Sequence, residues 1–162
     1  MTETTKPVNL MRTAEVLHMC EIQYEVDSDG NLCFWIRPDE GDPAAFFIWL
    51  ACTDFTLTVS GGLEVVYDVG AGTINDLLIS YQREFLAPAG YSVESEDRVR
   101  IFGRVAFHIA AGASDRQLVA WIIHGIAAVQ AFARALDGRL SSPSPGGDHT
   151  ASAEELERWL DD

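Results

Sequence analysis

The chain has 162 residues, is 48% hydrophobic, and carries 25 acidic against 11 basic residues for a formal net charge of −14. That length suits one domain hiding roughly 70% of its unfolded surface, and the apolar content excludes a disordered polymer. The negative charge excludes nucleic acid and anionic membranes as natural partners, because phosphate repels it.

The first stretch, PVNLMRTAEVLHMCE, places Val8, Met11, Ala14, Val16, Leu17 and Met19 at helical spacing, with Pro7 suited to the first turn. The N-terminus lacks a basic region followed by an apolar one, so no signal peptide is expected. The period then changes to two. EIQYEVDSDGNLCFWIRP puts Ile22, Tyr24 and Val26 on one face, then Leu32, Phe34 and Ile36, with DSDGN as the turn of a hairpin. DSDGNL has the acids of a calcium loop, but its glycine comes two positions too early and strand residues follow, so the turn reading stands.

AAFFIWLAC reads as a central strand and DFTLTVS as another, alternating Phe55, Leu57 and Val59. Gly61 and Gly62 punctuate, and LEVVYDV is a candidate further strand. TINDLLISYQREFL is a second helix, opened by Thr73 with Asp76 three residues on and stopped by Pro88 and Gly90. Its lead-in, VYDVGAGTIND, is a strand, G-x-G, then a helix. The third glycine of a dinucleotide fingerprint is missing and no parallel βαβ unit surrounds it, so it reads as a plain connection.

GYSVESEDRVRIFGRVAFHIA is a second hairpin with Val99, Ile101, Val105, Phe107 and Ile109 on one face. The opposite face of that strand carries Arg98, Arg100, Phe102, Arg104, Ala106 and His108. Two readings are open for this basic row. It pairs across strands with Glu21, Glu25, Glu94 or Glu96, or it receives a partner segment, with Trp35 as an aromatic neighbour. Arginine and aromatic residues are enriched at such surfaces. The candidate partner-binding residues are Trp35, Arg100, Phe102, Arg104 and His108.

Residues 114–136 form the longest helix, with a capping box at Ser114 and Gln117 and Gly138 closing it. On a helical wheel Leu118, Val119, Ile122, Ile126, Val129, Ala133 and Leu136 share one arc, with Phe132 beside them. The opposite arc, with Arg116, Gln117, Ala120, His124, Ala127, Ala128, Ala131, Arg134 and Ala135, is neither charged like an ordinary solvated face nor bulky like a core face. Its alanines either serve helix propensity alone or meet a second copy or the tail, which makes Ala120, Trp121, His124, Ala127, Ala128 and Ala131 candidate dimer-interface residues. His124 has no acid three or four residues away and reads as a boundary residue.

Residues 141–151 are a Ser-, Pro- and Gly-rich linker, and residues 152–162 a short acidic amphipathic helix. Its Leu156, Trp159 and Leu160 are candidate docking residues, since a helix so short is marginal alone. The domain proper is residues 1–140. Helix, about four strands, helix, two strands and helix give an α+β fold: a mainly antiparallel sheet covered on one face by helices.

Cys20, Cys33 and Cys52 form no C-x-x-C and lie in apolar runs, which reads as buried free thiols in a reducing compartment, the cytoplasm. His18, His108, His124 and His149 form no zinc motif, and neither a nucleophile elbow nor a P-loop is present. No catalytic residue, metal or cofactor is therefore expected, and the chain does not read as an enzyme.

The order of elements over residues 8–140, with Asn75 at the start of the middle helix and the acid-led apolar helix after the second hairpin, resembles the bacterial YbjN-like domains. These are similar in fold to the type III secretion chaperones. The resemblance implies an α+β sandwich, frequent homodimers, and a non-enzymatic role in binding, chaperoning or regulating proteins. The linker and acidic tail depart from that pattern. A small-molecule sensor with a pocket between sheet and helices is the alternative reading.

Overall fold

A computed structural model of the chain describes residues 4–40, 44–67, 70–95 and 98–140. The linker and tail, with Leu156, Trp159 and Leu160, lie outside the described residues. The elements in chain order are α1 (Leu10–Met19), β1 (Glu25–Val26), β2 (Leu32–Ile36), β3 (Phe46–Cys52), β4 (Thr56–Leu63), α2 (Ala71–Glu84), β5 (Ala89–Ser95), β6 (Arg98–His108) and α3 (Asp115–Asp137). The strands form one sheet in the order β1-β2-β3-β4-β6-β5, every described pair antiparallel. The α+β architecture with helices on one face is as expected.

Alternation divides the strands between two faces. Leu32, Phe34, Ile48, Leu50, Leu57 and Val59 pack with Leu118, Ile122, Ile126 and Val129 of α3. A second cluster continues this layer through Phe46, Val99, Ile101, Phe132 and Leu136, with Ile74 and Leu78 of α2. Each large side chain buried there contributes roughly 1.5–3 kcal/mol. By length and hydropathy α3 could cross a membrane, but its apolar stripe is already buried against the sheet. Phe132 lies flat on the strands because β5 and β6 place Gly90 and Gly103 directly opposite each other beneath it; a Cβ on either would come within 2.7 Å of the Phe132 ring.

The ends of α3 are tied down. Ser114 and Gln117 form the expected capping box. Arg12 donates to the carbonyls of Lys6 and Pro7 at 2.8 Å and to Asp115 Oδ1 at 2.6 Å, and Lys6 Nζ reaches Asp115 Oδ2 at 3.0 Å. These two cations hold the Asp115 carboxyl below the usual aspartate range by hydrogen bonds and charge. At the other end the Tyr67 hydroxyl donates to Asp137 at 2.9 Å, and burial plus that carboxylate push the Tyr67 pKa far up.

Four local readings change. Pro7 precedes α1 instead of opening it: Asn9 is the N-cap, accepting from the Arg12 amide. Thr73 lies inside α2, whose N-cap is Gly70 without a side-chain cap, so the Thr73–Asp76 box does not form. Gly61 and Gly62 lie within β4, which also takes Leu63, and among the described residues 64–67 there is no further strand, only a bridge from Tyr67 to Val99. Cys20 is exposed and Cys52 half-buried, leaving Cys33 as the buried thiol. Cys20 caps a helix whose inner face is already filled by Val16 and Leu17.

Candidate functional site on the uncovered sheet face

The second face of the sheet carries its own apolar cluster: Cys33, Phe47, Trp49 and Phe102, with Tyr91 and Val93 against it. All six come from strands, and among the described residues no helix contributes. The rings run in a row across the sheet. Trp35 lies 4.7 Å from Phe47, Phe47 5.6 Å from Trp49, Trp49 5.3 Å from Phe102 edge-on, and Phe102 5.6 Å from Tyr91. The Arg104 guanidinium ends the row, 5.0 Å above the Tyr91 ring. Spacings of this kind favour offset and edge-to-face contact, and a guanidinium over a ring adds a cation–π attraction.

The row depends on β4. Neighbouring strands lie about 4.8 Å apart, so β3 and β6, which flank β4, are too distant for direct cross-strand pairing. Trp49 and Phe102 meet because β4 presents only Ser60 and Gly62 between them. Ser60 is opposite both Trp49 and Arg104 in register, and a Cβ on Gly62 would lie 2.9 Å from Phe102 Cδ1.

The five residues chosen from sequence for this face arrive together. Arg100, Phe102, Arg104 and His108 alternate along β6, and Trp35 stands on β2 at the far end of the row. Their environments differ. Phe102 is 3% exposed and Arg100 8%, whereas Trp35 is 38% exposed and Arg104 and His108 are open. Arg104 donates through Nε to Ser60 Oγ at 3.3 Å. The Tyr91 hydroxyl lies beside them; burial raises its pKa, and the Arg104 charge with hydrogen bonding to Arg104 and Ser60 pulls the other way.

Register removes two of the carboxylates considered as partners for the row. Glu94 sits opposite Val99, on the helix side, while Arg100 faces Val93. Glu25 is on β1, separated from β6 by three strands. Glu96 lies outside the described residues. The sequence reading missed Phe47, Trp49 and Tyr91. FFIWL reads as an uninterrupted apolar strand, so alternation could not assign its faces.

Where β1 ends after two residues, a cleft of about 310 Å³ opens beside Gln23, Tyr24, Glu25, Cys33, Trp35 and Phe47. It adjoins the aromatic row and is not between sheet and helices, where the alternative reading placed a pocket. Among the described residues no three His, Cys, Asp or Glu gather as a metal site would require.

The outer side of α3 carries the residues considered for self-association. His124, Ala127 and Ala131 are exposed, and Ala120 and Ala128 half-buried. Trp121 is already engaged, stacked 5.6 Å from Phe107 with 12° between planes.

No protein-family model matches the chain, and no curated protein matches it in sequence. Among solved structures it is similar to the crystal structure of YbjN from E. coli, proposed there as a transcription regulator. The TM-score is 0.62 at 13% identity, covering 87% of this chain and 100% of that one. The fold is therefore YbjN-like, in agreement with the resemblance read from the order of elements.

Proposed function

We propose that this chain is a non-enzymatic, chaperone-like or regulatory protein-binding module of the cytoplasm, and that the uncovered sheet face receives a segment of its partner. The observation that carries this reading is the row from Trp35 to Arg104: four contiguous ring contacts ending in a cation, on a face to which, among the described residues, no helix contributes. Trp35, 38% exposed, and Arg104 are the open ends of a row whose central rings are buried, and aromatic residues with arginine dominate binding energy at protein surfaces. The arginines select an apolar segment that carries carboxylates, and the net charge of −14 disfavours nucleic acid and anionic membrane.

A peptide display library panned against the full chain tests this. Wild type should enrich sequences combining aromatic or aliphatic residues with acids, and Arg104→Glu and Trp35→Ala should each lose that enrichment. The same enrichment from all three would remove the face from consideration. Homodimerisation through the outer side of α3 belongs to the same proposal. Its support is Ile123, 48% exposed, beside small residues that let another backbone approach. The sensor reading keeps one favourable observation: the cleft at Trp35 and Phe47 lies in the size range of small-ligand sites.

A further inference from the structure

We infer that the partner's segment enters as a seventh strand, paired through its backbone to the outer edge of β5, with a carboxylate beside Ala89 that meets Arg104. The inference rests on the binding role proposed for the uncovered face and names the edge and the backbone chemistry that hold the segment.

Register identifies the open edge. β5 ends the sheet, with β6 as its described neighbour. Ile109 N donates to Phe55 O at 2.8 Å, in the same register that sets Thr56 opposite His108. Directly bonded pairs alternate with unbonded ones in an antiparallel ladder, so the odd residues of β6 bond toward β4 and the even ones toward β5. The partners of those even residues on β5 are Ala89, Tyr91, Val93 and Ser95. Gly90, Ser92 and Glu94 therefore turn their amides and carbonyls outward, and among the described residues no backbone group meets them there. Such a row of donors and acceptors is a template for another strand. Sheets blunt an edge by shortening it or by placing proline or lysine on it. β1, at the other end of the sheet, has two residues. β5 has seven, with neither proline nor lysine among them.

The side chains beside the edge describe the segment. Tyr91 and Val93 belong to the uncovered face and are half-buried, and the exposed Phe85 and Leu86 lead into the strand. Residues of an added strand next to Tyr91 and Val93 are therefore apolar. Ala89 differs. It is small, exposed and opposite Arg104. Strands lie about 4.8 Å apart, so a residue beside Ala89 is separated from Arg104 by one methyl group, much as Ser60 and Gly62 separate Trp49 from Phe102. An acid there meets a guanidinium that already reaches over β5 to the Tyr91 ring. This charge also chooses between occupants. β5 carries no acid on that face, since Glu94 alternates to the helix side, so a second copy paired edge to edge brings Arg104 no carboxylate.

The test is amide hydrogen exchange, read by NMR on the full ¹⁵N-labelled chain alone and with a peptide enriched by panning. In the free chain Gly90, Ser92 and Glu94 should exchange fast and Tyr91 and Val93 slowly. Saturating peptide should slow the three outward amides by about tenfold or more. Ser92→Pro removes an outward donor and breaks no bond to β6, so it should weaken the peptide by about tenfold or more while the near-UV circular dichroism of the chain stays the same. Arg104→Gln should abolish the preference for glutamate over glutamine in the peptide. Peptide binding that leaves the outward amides fast, or that Ser92→Pro does not weaken, overturns the inference and keeps the face as a docking surface. Outward amides already slow in the free chain also overturn it, and a dependence on protein concentration then assigns the edge to a second copy. If no peptide binds, both readings fall.

Discussion

Gly62→Ala is the sharpest perturbation of the uncovered face, because the position is not hinge-like or exposed but buried between two strands. A Cβ there would stand 2.3 Å from the Ile101 carbonyl oxygen and 2.9 Å from Phe102 Cδ1. The first of these is backbone, so the contact cannot be relieved by rotating a side chain. β4 and β6 must separate locally, next to the last paired residues, Gly61 and Gly103. Overpacking of this kind costs about 1–3 kcal/mol, and a rigid neighbour puts the case at the upper end. The smaller unfolded-state entropy of alanine returns about 0.4–1 kcal/mol. The net is about 2 kcal/mol of destabilisation, or a fall in Tm of about 4–8 °C for a chain of this size. Urea denaturation measures it, and near-UV circular dichroism should lose the coupled Trp49–Phe102 signal. Gly72→Ala is the control: nothing lies within 4 Å of its Cβ in α2, so it should be neutral or stabilising by up to about 1 kcal/mol. Equal effects from the two substitutions would refute the reasoning that β4 is built small so that rings can meet over it.

Four further outcomes follow from the same contacts. Ser114→Ala removes the α3 capping box and should cost about 1–2 kcal/mol in denaturant titration. Asp115 has a folded pKa below its unfolded value, so its contribution is present above the ordinary aspartate range and lost as pH falls through the folded pKa; Asp115→Asn should flatten the acid limb of a stability–pH profile. Tyr67 has a raised folded pKa, so its contribution holds below about pH 10 and is lost as pH rises beyond it. Tyrosinate absorbance should accordingly show one residue titrating late, and Tyr67→Phe should abolish that late step. Ala127→Arg should convert a dimer to a monomer in sedimentation if α3 pairs with a second copy, and an unchanged mass would remove that interface.

The helix-side core was legible because one periodicity dominated each element. The arc from Leu118 to Leu136 on α3 had a single buried side, and the alternation from Val99 to Phe107 on β6 marked the side facing the helices, although Arg100 and Phe102 on its other side are buried too. The basic row was legible for the same reason, since arginine alternated with apolar residues. Its aromatic continuation was not. Phe46, Phe47, Ile48, Trp49 and Leu50 are all buried, so β3 offers no alternation, and only the pairing of Phe47 with Trp35 and Trp49 with Ser60 assigns its faces. The caps were read unevenly. Ser114 has a matching Gln117, but Gly70 caps α2 through backbone conformation alone, which Thr73 and Asp76 mimic in sequence. Gly61 and Gly62 look like a turn in one dimension and serve as space for Ile48 and Phe102 in three.

The most direct measurement of the account is site-specific photo-crosslinking in the full chain within its native host. A photoreactive residue in place of Ala106, exposed on β6 between Arg104 and His108, is compared with one in place of Gln82, exposed on α2. The account predicts that position 106 forms adducts mapping to apolar, carboxylate-rich segments of a partner protein, while position 82 does not. Adducts at position 82 with none at position 106 would contradict it.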